Sequence, residues 1–247
     1  MEITILGCGG GVPRPGGALC GQLVSHGDRR IWVDAGSGTL GVLLRYAGIA
    51  DIDTVVISHR HLDHFLDLYP FAYAREKLAE TQPGTPRFRL IGPPDFLAHA
   101  ERLTGPGGLD DVLDWTPLEL GGSTPIGDVT LDTASMRHGV PTLGMRFTAG
   151  GRTIAYSADT GPCDALVDIG RDADVLVCEA TYGAGEPGEP MHLSARQAGE
   201  HAERAGARSL VLTHTWYQHD LDEVVAAARA VYGGDVAAAT AGETIRG

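Results

Sequence analysis

Short apolar runs broken by glycine, proline and aspartate recur along most of the chain, and their lengths are those of strands. Residues 2–6 form the first run, and residues 19–25 and 29–33 pair as a hairpin across His26, Gly27 and Asp28. Residues 53–58 (DTVVIS) are mostly apolar, as expected of a strand covered on both faces. Further strands are expected over residues 88–91, 129–134, 144–148, 153–157, 175–178 and 209–213.

Helical spacing shows in three places. Leu40, Leu43, Leu44 and Ala47 predict a core-facing helix that Gly48 stops. Ser194 and Gln197 have capping-box spacing, and Ala195, Ala198, Ala202 and Ala205 behind them predict a closely packed helix. Leu221, Val224, Val225 and Ala228 mark a last amphipathic helix, capped by Asp220. No internal repeat or low-complexity linker interrupts this order, so residues 1–247 are expected to form a single α/β domain.

The glycine-rich stretch GCGGGVPRPGG after the first strand invites a phosphate-cradling reading. Pro13 and Pro15 interrupt it and no helix follows directly, so it is read instead as a flexible rim loop.

Composition narrows the class. Hydrophobic residues make up 43% and charged residues 21% of the chain, enough for a substantial core. A net charge of -13 with no Lys/Arg-rich block argues against a long nucleic-acid partner and for a small substrate. Bound divalent cations would still make a local pocket attractive to an anion. Cys8, Cys20, Cys163 and Cys178 form no CxxC pair and read as buried free thiols. The N-terminus has no basic, apolar export segment, and no run of about 18 apolar residues suggests a membrane span, so a cytoplasmic protein is expected. Trp32, Trp115, Trp216 and the segment 69–73 are apolar material for core, pocket wall or a homodimer interface.

The chemistry concentrates in SHRHLDHF. His59, His61, Asp63 and His64 place four metal-ligand types within six residues, directly after a buried strand. A lone histidine is usually a packing or surface residue, whereas this density is the pattern of a metal site. On an extended segment His59 and His61 converge on one side while Asp63 and His64 turn to a neighbouring position, so two metals can be served.

At this point the chain resembles the metallo-β-lactamase superfamily, whose HxHxDH signature is His59-Arg60-His61-Leu62-Asp63-His64. The resemblance runs nearly the whole length, through ILGCGGG, DAGSG around Asp34, RHGVPTLGMRF, YSADTG, CEATY, MHLS and LTHT. It implies an αββα four-layer sandwich. It further implies that His59, His61 and His138 hold one divalent metal, that Asp63, His64 and His214 hold a second, and that Asp159 bridges them. Imidazoles and carboxylates suit Zn²⁺ best, with Mn²⁺ as the alternative.

His61 stands where the oxygen-reducing members carry glutamate, which disfavours an oxidoreductase. His138 is followed by GVPTLG rather than a PGH-type segment, which points to the phosphodiesterase branch. Within it the chain looks like ribonuclease Z and, more closely, the atypical class II cyclic nucleotide phosphodiesterases. The closer likeness lies in GSGTLGVLLRYA, SHRHLDHFLDLYPF, YSADTGPCDALV and HLSARQAGEHAERAG. The tRNA-binding arm of ribonuclease Z falls between the third histidine and the bridging aspartate, and here that interval is only the 21 positions from His138 to Asp159.

Asp63, His192 and Glu179 are the candidate catalytic residues. His192 precedes the capped helix in the branch's HxS/T segment, where it can protonate a leaving alkoxide or hold a phosphate oxygen; its structural alternative is a helix-entry hydrogen bond. Glu179 orients a metal histidine or His192, or belongs to a buried network. Asp34 is expected to support the metal loop without binding metal. His26, His99 and His201 are expected to face solvent, and His219 either lines the pocket or caps the next segment. The expected activity is hydrolysis of small cyclic phosphodiesters such as cyclic AMP. The rivals are an RNA end, a ribosyl cyclic phosphate, a sulfate ester, a thioester or a lactone on the same site, and a non-catalytic metal- or ligand-binding protein.

Overall fold

The computed structural model describes residues 1–104, 108–109, 111–185 and 190–247. Strands are numbered in chain order. One seven-stranded sheet runs β1 (Glu2–Gly7), β2 (Gly21–His26), β3 (Arg29–Val33), β4 (Thr54–Val56), β5 (Phe88–Gly92) and β6 (Leu113–Pro117), with β14 (Thr244–Arg246) outside β1. The other runs β7 (Ser123–Ile126), β8 (Val129–Ser135), β9 (Leu143–Ala149), β10 (Arg152–Tyr156), β11 (Val175–Glu179), β12 (Ser209–Thr213) and β13 (Asp235–Ala238). Both are mixed: β3 to β6 and β10 to β13 pair in parallel, and the hairpin-linked strands pair antiparallel.

The two-residue period of each strand sorts its side chains between two cores. Ile31 and Val33 point between the sheets, where they meet Met145, Phe147, Ile154 and Val177 of the other sheet. Trp32, between them in sequence, faces outward with Val55, Ile57 and Leu90. That outer face is covered by α1 (Thr39–Leu43), α2 (Leu68–Thr81) and α3 (Phe96–Thr104), through Leu43, Leu68, Phe71, Phe96 and Ala100. The far face is covered by α4 (Asp164–Gly170), α5 (Ala195–Ala205) and α6 (Leu221–Arg229), whose Leu166, Ala198, Ala202 and Val224 pack on Leu176, Cys178 and Leu212. The result is the four-layer αββα sandwich. Strands buried on both faces explain why the sequence shows continuous apolar runs instead of clean alternation.

The predicted strands all form, and so do the caps: Ser194 Oγ accepts from the Gln197 amide while Gln197 Oε1 accepts from the Ser194 amide, and Asp220 accepts from the Asp222 and Glu223 amides. Gly199 lets α5 and α6 close on each other, since a Cβ there would stand 2.8 Å from the Ala228 carbonyl oxygen.

Two expectations need correcting, the extent of the first helix and the exposure of His201. The first helix ends at Leu43, because the amides of Arg45 and Tyr46 turn back to carbonyls three residues earlier, and Leu44 is left 50% exposed. Of the alternatives left open for Trp32, core is the one found: it is fully buried and packs edge-on to Phe71 at 5.4 Å. His201 is buried on α5, with Nδ1 donating to the Gln197 carbonyl at 2.7 Å, and does not face solvent. His26 and His99 are half-buried.

The sequence reading also missed α2. Its buried stripe is Leu68, Phe71, Ala72 and Arg75, spaced correctly for a helix but ending in a charge. The Arg75 guanidinium donates to the carbonyls of Ile49, Ala50 and Pro86, which is how it is tolerated in the interior. No described helix is long and apolar enough to cross a membrane.

Candidate metal centre

One end of the sandwich gathers the residues singled out above, because each follows or ends a strand. Asp34 follows β3, His59 follows β4 within two residues of Ile57, His138 follows β8, Asp159 follows β10, Glu179 ends β11 and His214 follows β12. Asp63 and His64 sit in a single 3-10 turn, Leu62–His64. Backbone strain accumulates here. Asp34 (φ 54°), Ala158 (φ 50°) and His214 (φ 52°) are left-handed without being glycine, a conformation tolerated where surrounding contacts over-determine it.

The candidate ligand atoms converge. Those of His59, His61, His138 and Asp159 lie within 4.8 Å of one another, and so do those of Asp63, His64 and His214. Asp159 stands between the groups: Oδ2 is 3.7 Å from His59 Nε2 and 3.9 Å from His138 Nε2, while Oδ1 is 3.3 Å from Nε2 of both His64 and His214. Asp63 Oδ2 is 3.2 Å from His214 Nε2 and 3.6 Å from His64 Nε2.

The opposite ring nitrogens are occupied, and this fixes which nitrogen faces the cluster. His59 Nδ1 pairs with Ser58 Oγ at 2.9 Å, His64 Nδ1 with Asp34 Oδ2 at 2.7 Å, His138 Nδ1 with the Met191 carbonyl at 3.1 Å and His214 Nδ1 with Thr181 Oγ1 at 2.9 Å. The inward nitrogens meet one another instead, His138 Nε2 at 3.1 Å from His61 Nδ1 and His64 Nε2 at 3.3 Å from His214 Nε2. His59 Nε2 and Asp159 Oδ1 are buried with no hydrogen-bond partner. Buried lone pairs directed at a shared point, with their outer nitrogens anchored, fit a divalent cation.

The charges agree. Burial would push Asp159 up, yet His214 and His64 hold it well below the usual carboxylate range. Burial likewise opposes Asp63, and the hydrogen bond from His214 with the charges of His64 and His214 carries it well down. Burial lowers His59, reinforced by the neighbouring imidazoles, and lowers His61 as well, keeping both as neutral donors.

Beside the cluster, His192 Nδ1 lies 2.9 Å from Glu179 Oε1, and its ring stacks on His214 at 5.8 Å. Burial lowers its basicity, but the Glu179 hydrogen bond and charge raise it overall. Glu179 is buried and also accepts from the amides of Thr160 and Leu193, so it is fixed on several sides. Glu179 thus contacts His192, and Asp34 contacts His64 Nδ1.

Sequence reasoning missed Thr181, Ser58 and Gly10. Thr181 Oγ1 donates to Glu179 Oε2 at 2.7 Å and contacts both His214 Nδ1 and His192 Nδ1. The glycine-rich loop proves to be tethered: Gly10 N bonds the Thr215 carbonyl and Gly11 N donates to Asp63 Oδ2 at 3.0 Å. A Cβ on Gly10 would stand 2.8 Å from His214 Nδ1, which is why the strand-to-loop exit is glycine. His219 turns away, its Nε2 donating to the Thr181 carbonyl at 3.0 Å.

Fold and site together define a metal-dependent hydrolase framework, and comparison with known proteins agrees. A family model described as a beta-lactamase superfamily domain matches residues 29–215, and the chain belongs to that family. It is 34% identical to the uncharacterized protein Rv1339 of Mycobacterium tuberculosis, over 99% of this chain and 91% of that one. It is 30% identical to the probable metallo-hydrolase YhfI of Bacillus subtilis, over 98% of each chain. The crystal structure of YhfI superposes with a TM-score of 0.92 at 28% identity, covering 100% of this chain and 99% of the other. A ribonuclease Z of Myxococcus xanthus is 26% identical over 99% of this chain and 97% of its own.

Proposed function

We propose that this protein is a dinuclear metal-dependent phosphodiesterase that hydrolyses small cyclic phosphodiesters, with 3′,5′-cyclic nucleotides such as cyclic AMP as its substrates. The observation that carries the reading is Asp159, whose two oxygens face two separate sets of histidines. His59, His61 and His138 would hold one cation, and Asp63, His64 and His214 the other, with Asp159 shared. Zn²⁺ fits this donor set best and Mn²⁺ is second. When bound, such a pair supplies an activated water and neutralises charge on a phosphoryl group.

The chain's own residues do the rest. Glu179 holds His192 by Nδ1 and favours its protonated form, so Nε2 is the nitrogen left to give a proton to the departing alkoxide. Thr181 keeps the His214 and His192 rings in register. His59 and His61, held neutral, remain donors at physiological pH.

Ribonuclease Z relatives make RNA-end cleavage the natural rival. Against it, the interval from His138 to Asp159 is taken up by the β9–β10 hairpin, with nothing beyond it to grip a folded RNA, and the net charge is -13. The substrate is therefore small and bound locally.

Cyclic AMP turnover and precursor-tRNA cleavage, measured side by side on one metal-loaded preparation, test the reading. Cyclic AMP hydrolysis without efficient tRNA cleavage is expected. Efficient tRNA end cleavage without cyclic nucleotide activity would overturn it, and activity on neither would turn attention to esters, thioesters and lactones.

A further inference from the structure

Some of the large apolar side chains that remain exposed lie beside the candidate site, others on distant helices and loops. Val12, Leu62, Trp216 and Tyr217 are among them, and all four lie on segments that carry or touch the candidate ligands. Leu62 falls between His61 and Asp63, Val12 follows the Gly11 that binds Asp63, and Trp216 and Tyr217 follow His214. A single exposed apolar residue is ordinary, but Trp216 and Tyr217 are neighbouring aromatic rings, both exposed, directly after a candidate ligand.

Trp216 is also held in place. Its Nε1 donates to Gln218 Oε1 at 3.3 Å, its ring lies 5.8 Å from that of Tyr217, and its Cζ3 would be 3.5 Å from a Cβ on Gly11. The backbone around it is pinned as well, since the Thr215 amide donates to the Cys8 carbonyl and the Thr215 carbonyl accepts from Gly10. The indole thus rests on a glycine whose own amide binds Asp63, and it is still 37% exposed. Such a fixed, half-open aromatic face loses little entropy when a flat ring lands on it.

We infer that Trp216 is the base-binding platform of the substrate site: a nucleobase stacks on its exposed face while the phosphoryl group lies over the histidine–aspartate cluster. This inference rests on the phosphodiesterase reading and narrows it to substrates that carry a planar heteroaromatic base. Leu62 and Val12 supply the apolar rim, and Tyr217 backs the indole. Stacking on every base alike makes the site tolerant of base identity.

Calorimetric titration of the zinc-loaded protein with AMP and with ribose 5-phosphate reads the platform without turnover. The wild type should bind AMP about tenfold more tightly than ribose 5-phosphate, the scale of one base–aromatic stack. Trp216→Ala should erase that preference and leave ribose 5-phosphate affinity, zinc content and thermal stability unchanged, while Trp216→Phe keeps part of it. An AMP preference that survives Trp216→Ala, or a loss shared equally by both ligands, overturns the proposal. A wild type that hydrolyses cyclic AMP but does not prefer AMP overturns the platform alone. A preference abolished by Trp216→Ala in a protein that hydrolyses no phosphodiester upholds the platform and sinks the activity.

Discussion

The phenol of Tyr156 on β10 donates to Asp34 Oδ2 at 2.9 Å, across the space between the two sheets. The same oxygen meets His64 Nδ1 at 2.7 Å and accepts from Ser58 Oγ at 2.8 Å, and Asp34 Oδ1 accepts from the Ser58 amide. All four residues are buried, and Cys20 Sγ completes the chain at 3.1 Å from the phenol. The second sheet therefore helps orient a histidine that belongs to the first.

Asp34→Ala is expected to cost about 10- to 100-fold in affinity for one of two metals, the usual consequence of freeing a ligand histidine from its carboxylate. Tyr156→Phe removes one of the partners of Asp34 and should have a smaller effect of the same sign. Competition against a chelator, followed by elemental analysis, reads both. Equal affinities in wild type and Asp34→Ala would show that Asp34 only supports the fold.

Saturated, active protein should contain two divalent ions per chain, and Asp159→Ala should lose both, because each oxygen of the carboxylate faces a different set of histidines. Inductively coupled plasma analysis after dialysis gives the count. One ion at full activity would contradict the dinuclear arrangement.

His192→Ala is expected to retain metal and fold but to lose about 10²- to 10⁴-fold in kcat on cyclic AMP, the range for positioned acid catalysis. Bis(p-nitrophenyl) phosphate, whose leaving group needs no proton, should lose far less. Equal losses on the two substrates would assign His192 to phosphate binding. Glu179→Gln should move the alkaline limb of the pH profile to lower pH as well as reduce its height, since Glu179 holds up the basicity of the proton donor His192.

Burial on α5 lowers the basicity of His201, with Arg204 adding to the effect and the Gln197 carbonyl opposing it. The folded state thus binds the proton less well than the unfolded chain, whose histidine titrates near 6.5. The stability contributed by the neutral ring is present above about pH 6.5 and is lost as pH falls toward the depressed folded value. Melting temperature should therefore fall more steeply between pH 7 and pH 5 in the wild type than in His201→Leu. Parallel curves would mean that His201 titrates alike in both states.

The local pattern of the chain determined strands β1 to β5 and β8 to β12, the caps at Ser194 and Asp220, and the density of ligand types from His59 to His64. Each depends on neighbours in sequence: the period of the strand, the reach of a capping side chain, the spacing of an HxHxDH run. Resemblance along the chain extended this to His138, Asp159, Glu179, His192 and His214, residues that are unremarkable one by one. Only the tertiary structure decided what they meet. Asp159 stands between two histidine sets because the ends of β4, β8, β10 and β12 open on the same side, a relation between strands far apart in sequence. Thr181 and Ser58 gained their roles from the nitrogens they face, and a threonine or serine carries no local mark of such a partner. Arg75 hid α2 because its carbonyl partners come from other segments, and Trp32 proved to be core because its burial is set by Phe71 and the sheet beneath it. Periodicity shows which face of an element is apolar, whereas the partner of that face is settled only when the layers close.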